Sequence, residues 1–213
     1  MDIYAPPTRC LGDCWAFVNM LCDISIRSGK EVLSSTCACP REGDAFHKSM
    51  FVGGKLEEIM SVLDLGEARI KLVERGATVF TPDVTCFKHP YRPTKTRWNG
   101  DGKLIVHQLS NNQQPEQCIR CLLPSRHDAI MDWISRRKNA RLGLPMSMKE
   151  CVTLASKAAF FIGIDSGLSH LCHSVGVPVI IYDWPRINDF HNGKEFEKFS
   201  SPEEAILLMS SYV

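Results

Sequence analysis

The run Phe160-Phe-Ile-Gly-Ile164, ahead of Asp165, is apolar throughout with no polar alternation, the pattern of a strand covered on both faces inside a parallel sheet. Val177-Pro-Val-Ile-Ile-Tyr182 repeats that pattern, and Gly167 to Val175 lies between them with helical spacing and Gly176 at its C-terminal end. Two parallel strands joined by a helix form a unit that cannot stand alone, because both faces of its sheet must be covered. The fold class is therefore α/β.

The rest of the chain extends the same alternation. Asp2 to Ala5 reads as a short strand, Cys14 to Ser28 as a helix ended by Gly29, and Glu31 to Thr36 as the next strand. A helix near Lys55 to Leu63 and short segments at Ile70 to Val73 and Thr78 to Phe80 follow. The second half restarts with a strand over Lys103 to Leu109 and a helix from Arg126 to Lys138. Ser147-Met-Lys-Glu150 supplies a capping box for a helix to about Lys157, and Ser201-Pro-Glu-Glu204 opens a last one. With 213 residues, the chain is long enough for two compact domains. The glycine-rich Asn99 to Gly102 marks a linker between residues 1–98 and 103–213, each built from strand and helix units of the kind that form parallel sheets.

The formal net charge is +1 and both halves are near balance, which excludes a chain that is a basic nucleic-acid clamp overall. Local basic clusters remain at Lys88 to Arg97 and Arg136 to Arg141. No stretch of apolar residues is long enough for a membrane span and the N-terminus lacks the pattern of a secretory signal, so a cytoplasmic protein is expected. The ten cysteines do not repeat as a disulfide framework would. Cys118-Ile-Arg-Cys121 is one metal-binding hook, but its only companion, Cys37-Ala-Cys39, is far away in the chain and differently spaced, so no metal site is expected.

Chemistry concentrates where the strand ending at Asp165 turns into the next helix. The first amides of a helix are unpaired and carry partial positive charge, so Ser166, Gly167, Leu168 and Ser169 offer donors to an anion, and Gly167 allows close approach. His170 lies one turn in, where it serves either the anion or the packing of the turn. The sequence is not Gly-x-Ser-x-Gly, which argues against a serine hydrolase.

Asp165-Ser-Gly-Leu-Ser-His-Leu171, with the helix leading to Gly176-Val-Pro178, resembles the C-terminal signature of the ADP-heptose:lipopolysaccharide heptosyltransferase family. Leu11-Gly12-Asp13 before an amphipathic helix is similar to that family's N-terminal Gly-Asp motif. The resemblance implies a compact GT-B architecture, two small Rossmann-like domains with parallel sheets facing a cleft, and an inverting transfer of sugar from a nucleotide diphosphate-sugar, with no cofactor or metal required. By position it makes Asp13 the general base and places Asp165, Ser166, Gly167, Leu168 and His170 at the donor.

The residues themselves leave Asp13 open between a base and a helix N-cap. Ser169 joins the donor set as a helix-terminal donor, and Trp184, after the last strand of the pair, is a candidate to stack on a base or sugar. Lys103, Arg120 and Arg126 are candidate cations for the departing diphosphate. Gly12, Lys88 and Arg92 are the acceptor-side candidates, the acceptor being a lipopolysaccharide-type glycan or a hydroxymethylated DNA base. The alternative function is a non-catalytic nucleotide or nucleic-acid-binding module on the same scaffold.

Overall fold

The computed structural model describes residues 3–8, 10–38, 51–74, 79–80, 92–100, 102–110, 124–137, 140–142, 147–184 and 196–213. They form two compact units, Met1–Arg92 and Pro93–Val213. The division falls earlier than the glycine-rich stretch at 99–102 because Pro93 to Trp98 is tied to the second unit. Thr94 N–H donates to the Ser174 carbonyl at 3.0 Å, Trp98 N–H to that of Val175 at 3.0 Å, and the Trp98 indole to that of Ala158 at 2.6 Å.

In the first unit, β1 (Ile3–Tyr4), β2 (Val32–Ser35), β3 (Ile70–Val73) and β4 (Val79–Phe80) form a sheet of order β3-β2-β1-β4 in which every pair is parallel. Helix α1 (Leu11–Ser28) buries Cys14, Trp15, Phe17, Val18, Leu21 and Cys22. Gly29 ends it in the left-handed conformation at φ 65°. Helix α2 (Gly53–Val62) adds Leu56 and Ile59, both fully buried.

In the second unit, β5 (Leu104–Gln108), β6 (Ala140–Leu142), β7 (Ala158–Gly163), β8 (Val179–Tyr182) and β9 (Glu197–Phe199) are ordered β6-β5-β7-β8-β9, again all parallel. The remaining helices are α3 (Pro124–Ser135), α4 (Met148–Ala155), α5 (Gly167–Val175) and α6 (Pro202–Ser210). Every residue of β7 is buried, as its unbroken apolar run requires. Ile105, Ile130, Ile134, Phe160, Ile162, Ile180, Phe199 and Met209 form one cluster on one side of this sheet. Gly176 closes α5 at φ 98°, a conformation that a residue with a side chain adopts only under strain.

Both strand orders reverse once. In the first sheet the chain runs outward from β1 through β2 to β3 and then returns to β1's other side as β4; in the second it places β6 on one side of β5 and β7 on the other. The carboxyl ends of the strands on either side of such a reversal leave a crevice in which open α/β sheets bind ligands. In the first unit the carboxyl end of β1 feeds residues 5–13, and in the second the ends of β5 and β7 present Gln108 and Asp165-Ser166.

Candidate active site

The second unit's half of the site begins at Gly163. A Cβ there would meet the Gln108 carbonyl at 2.2 Å, so glycine lets the ends of β5 and β7 close together. Ile164 N–H then donates to that carbonyl at 2.9 Å. Ser166 follows as the N-cap of α5, its hydroxyl accepting from Ser169 N–H while Ser169 Oγ accepts from Ser166 N–H at 3.1 Å. This reciprocal box uses two of the four donors expected to face an anion. No described residue accepts from the Gly167 or Leu168 amide, so those two N–H groups are the ones this turn leaves open to an acceptor.

The Ser166 hydroxyl also donates to Oε1 of Gln108 at 2.9 Å. Gln108 belongs to no motif and lies within the strand expected over Lys103 to Leu109. Its only signal was position, as the last residue of a strand beside the one that ends at the motif. Asp165 Oδ1 and His170 Nε2 lie 3.3 Å apart, and the residues are 7% and 6% exposed. That pair ties the segment after β7 to the first turn of α5.

Trp184 is 2% exposed, so stacking on a ligand requires the groups covering its ring to move. Lys103 and Arg126 are exposed. Asp183 lies 4.0 Å from Lys198. Burial lowers the pKa of His107, beside Gln108, from its usual 6.5, so the imidazole is held neutral.

In the first unit, α1 starts at Leu11, three residues earlier than its apolar spacing suggested. Its N-cap is Cys10, whose side chain makes no capping bond, so the start carries no capping signal. Gly12 and Asp13 therefore lie inside the first turn, and the N-cap reading of Asp13 is corrected: Asp13 is the third helical residue. Its Oδ2 accepts from the Thr8 hydroxyl at 2.5 Å, and it is half-buried, shielded yet reachable. Burial raises the neighbouring Cys14 thiol from 9.0 to about 12, which keeps it protonated, and its Sγ donates to the Thr8 carbonyl at 3.5 Å.

Arg92, an acceptor-side candidate, places its guanidinium 3.0 Å from Asp23 Oδ1, and its backbone N–H donates to the Asn19 side chain. Its charge is matched by α1 and its contacts are those of a strut. Lys88, Arg120, Cys39, Cys118 and Cys121 lie outside the described residues. Among the described residues, no group of three or more His, Cys, Asp or Glu side chains is gathered as metal ligation requires. No described helix is long and apolar enough to cross a membrane.

Two doubly wound parallel sheets, each with a candidate site at its strand reversal, define a protein of the tandem Rossmann-like class. The family model described as glycosyltransferase family 9 (heptosyltransferase) matches residues 77–182, a span that includes the whole Asp165–Leu171 motif. The resemblance read from that motif is thus borne out. No curated protein matches the chain.

Among solved structures, the chain is similar to the iron-containing dodecameric glycosyltransferase TibC from enterotoxigenic E. coli H10407, at a TM-score of 0.63 and 11% identity over 94% of this chain. TibC in complex with ADP-D-beta-D-heptose gives 0.57 and 10% over 93%. The E. coli heptosyltransferase WaaC with ADP gives 0.50 and 10%, with 100% of each chain covered. At these identities the likeness establishes the fold, the α/β architecture of two parallel sheets that these GT-B enzymes share. The chain spans 62% of the length of TibC.

Proposed function

We propose that this chain is an inverting glycosyltransferase that moves a sugar from a nucleotide diphosphate-sugar to an acceptor hydroxyl. The observation that carries the reading is the pair of unclaimed amides, Gly167 and Leu168, at the start of α5 and beside the strand reversal of the second sheet. The family match over residues 77–182 and the ADP-sugar and ADP complexes of the similar structures support a donor of this type.

In the transfer, the Asp13 carboxylate takes the proton of the acceptor hydroxyl. The acceptor oxygen forms its bond to the anomeric carbon as the bond to the diphosphate breaks, and the sugar inverts. The leaving diphosphate gains negative charge, which the Gly167 and Leu168 amides and the positive end of α5 stabilise because they are already oriented. Protein groups alone supply the base and the charge sink, so the reading calls on no metal. The acceptor is assigned to the first unit, where Gly12 lets a substrate approach the base.

The test is a thermal-shift and calorimetry panel of nucleotide diphosphates and their sugars, followed by turnover with every donor that binds. Asp13→Asn is expected to keep ADP binding and lose transfer by at least a hundredfold. Binding with no turnover for any donor and acceptor would leave the non-catalytic binding module as the reading. Silence across the whole panel would defeat both.

A further inference from the structure

We infer that Thr8 is a positioning residue for this reaction: its hydroxyl ties down one oxygen of the Asp13 carboxylate and thereby reserves the other for the acceptor proton. The inference rests on the transferase reading and concerns atoms to which neither the motif nor the comparisons give a role.

An acidic side chain at the third position of a helix ordinarily reaches back to the N-cap amide as half of a capping box. Asp13 holds that position in α1, and Cys10 is the N-cap. Here a hydroxyl has been inserted into the arrangement. Cys10 N–H donates to Thr8 Oγ1 at 3.0 Å, and the same hydroxyl donates to Asp13 Oδ2. A hydroxyl has one proton. With its oxygen accepting from Cys10, that proton is directed to the carboxylate, and the amide polarises the O–H so that it is a stronger donor.

Thr8 is itself held from several sides. Pro6 and Pro7 restrict the chain just before it. The Cys14 thiol donates to its carbonyl, while Cys14 N–H donates to the Cys10 carbonyl at 3.0 Å. The hydroxyl is thus placed by backbone and side-chain contacts before any substrate arrives. A free Asp side chain samples rotamers and shares its two oxygens indifferently. One held at Oδ2 presents Oδ1 in a fixed direction, which a proton transfer needs.

The experiment compares Thr8→Val, which keeps the shape and removes the hydroxyl, with Thr8→Ser, which retains it. For Thr8→Val the inference expects kcat to fall at least tenfold, with KM for the donor and Kd for ADP unchanged within twofold. Thr8→Ser is expected to recover most of the loss, and Thr8→Val added to Asp13→Ala to cost nothing more. A merely structural threonine would lower Tm and leave kcat intact at temperatures below unfolding. Amide exchange supplies a readout independent of turnover: the Cys10 amide should exchange at least tenfold faster in Thr8→Val, and also faster in Asp13→Ala.

Unchanged kcat, or unchanged Cys10 exchange, in Thr8→Val overturns the inference and leaves the transferase reading standing. Absence of turnover by the unmodified chain with every donor tried defeats that reading and this inference with it.

Discussion

Ser166 and Gln108, fifty-eight positions apart, share a hydrogen bond of 2.9 Å that links the N-cap of α5 to the end of β5. The bond spans the strand reversal of the second sheet and fixes the serine that closes the capping box. With Ser166 and Ser169 satisfied by each other, Gly167 and Leu168 are the amides left for a ligand. Gln108→Ala is expected to weaken ADP binding about fivefold, the worth of one ordinary hydrogen bond of roughly 1 kcal/mol, as read by calorimetry. Gln108→Glu keeps an acceptor for the serine but adds a negative charge beside the two amides, and is expected to weaken binding more than Gln108→Ala.

Arg92 is expected to act on stability rather than on acceptor affinity. Removing its side chain leaves the half-buried Asp23 without that partner. Arg92→Ala should destabilise the first unit by roughly 1 kcal/mol in denaturant titration, less in high salt. KM for the acceptor is expected to stay unchanged, and a large rise in it would return Arg92 to the substrate.

The α4 capping box should confer a pH dependence on the acid side. Glu150 accepts from the Ser147 hydroxyl at 2.7 Å and the Ser147 amide at 2.9 Å, and these bonds lower its pKa from 4.5. A depressed folded value means the contribution is present above pH 4.5 and is lost as pH falls through the lowered value. Ser147→Ala should cost about 1 kcal/mol near neutral pH, the usual worth of a lost cap, and the difference from the unmodified chain should shrink in acid.

His107 predicts an earlier loss. Its pKa is lowered from 6.5 by burial, so the folded chain favours the neutral ring. The resulting stability is present above pH 6.5 and is lost as pH falls toward the lowered value. Melting curves between pH 7.5 and 5 should show this decline in the second unit, and it should flatten in His107→Gln. An unchanged slope would mean that the imidazole charges without cost.

Where local chemistry is strong, the structure and the sequence coincide. β3 occupies Ile70–Val73 and α5 Gly167–Val175, both as read, because the alternation of Ile70 and Leu72 about Lys71 and a Ser-cap to Gly-cap frame mark these elements. β6 and β9 carry no sequence signal, since each has only three residues at an edge, where a neighbour's hydrogen bonds rather than apolar content make the strand. The start of α1 is hidden for a related reason: Cys10 is a poor capping residue and its side chain makes no capping bond. Asp165 to His170 were legible as a turn, but not which amides remain free there, because that depends on Ser169 meeting Ser166. Gln108 was invisible because its partner is brought near only by sheet pairing.

All the pairings between the named strands run in one direction, and this governs how the chain must acquire its shape. β1, only two residues long, lies between β2 and β4, and the stretch that pairs with its far side is synthesised some seventy-five residues after it. Among the described residues neither sheet contains a hairpin that could form early and serve as a template, so long loops have to close before the first strand pairing is rewarded. Refolding from denaturant should accordingly be slow, with the wholly apolar β7 exposed to other chains in the interval and the recovered fraction falling as protein concentration rises.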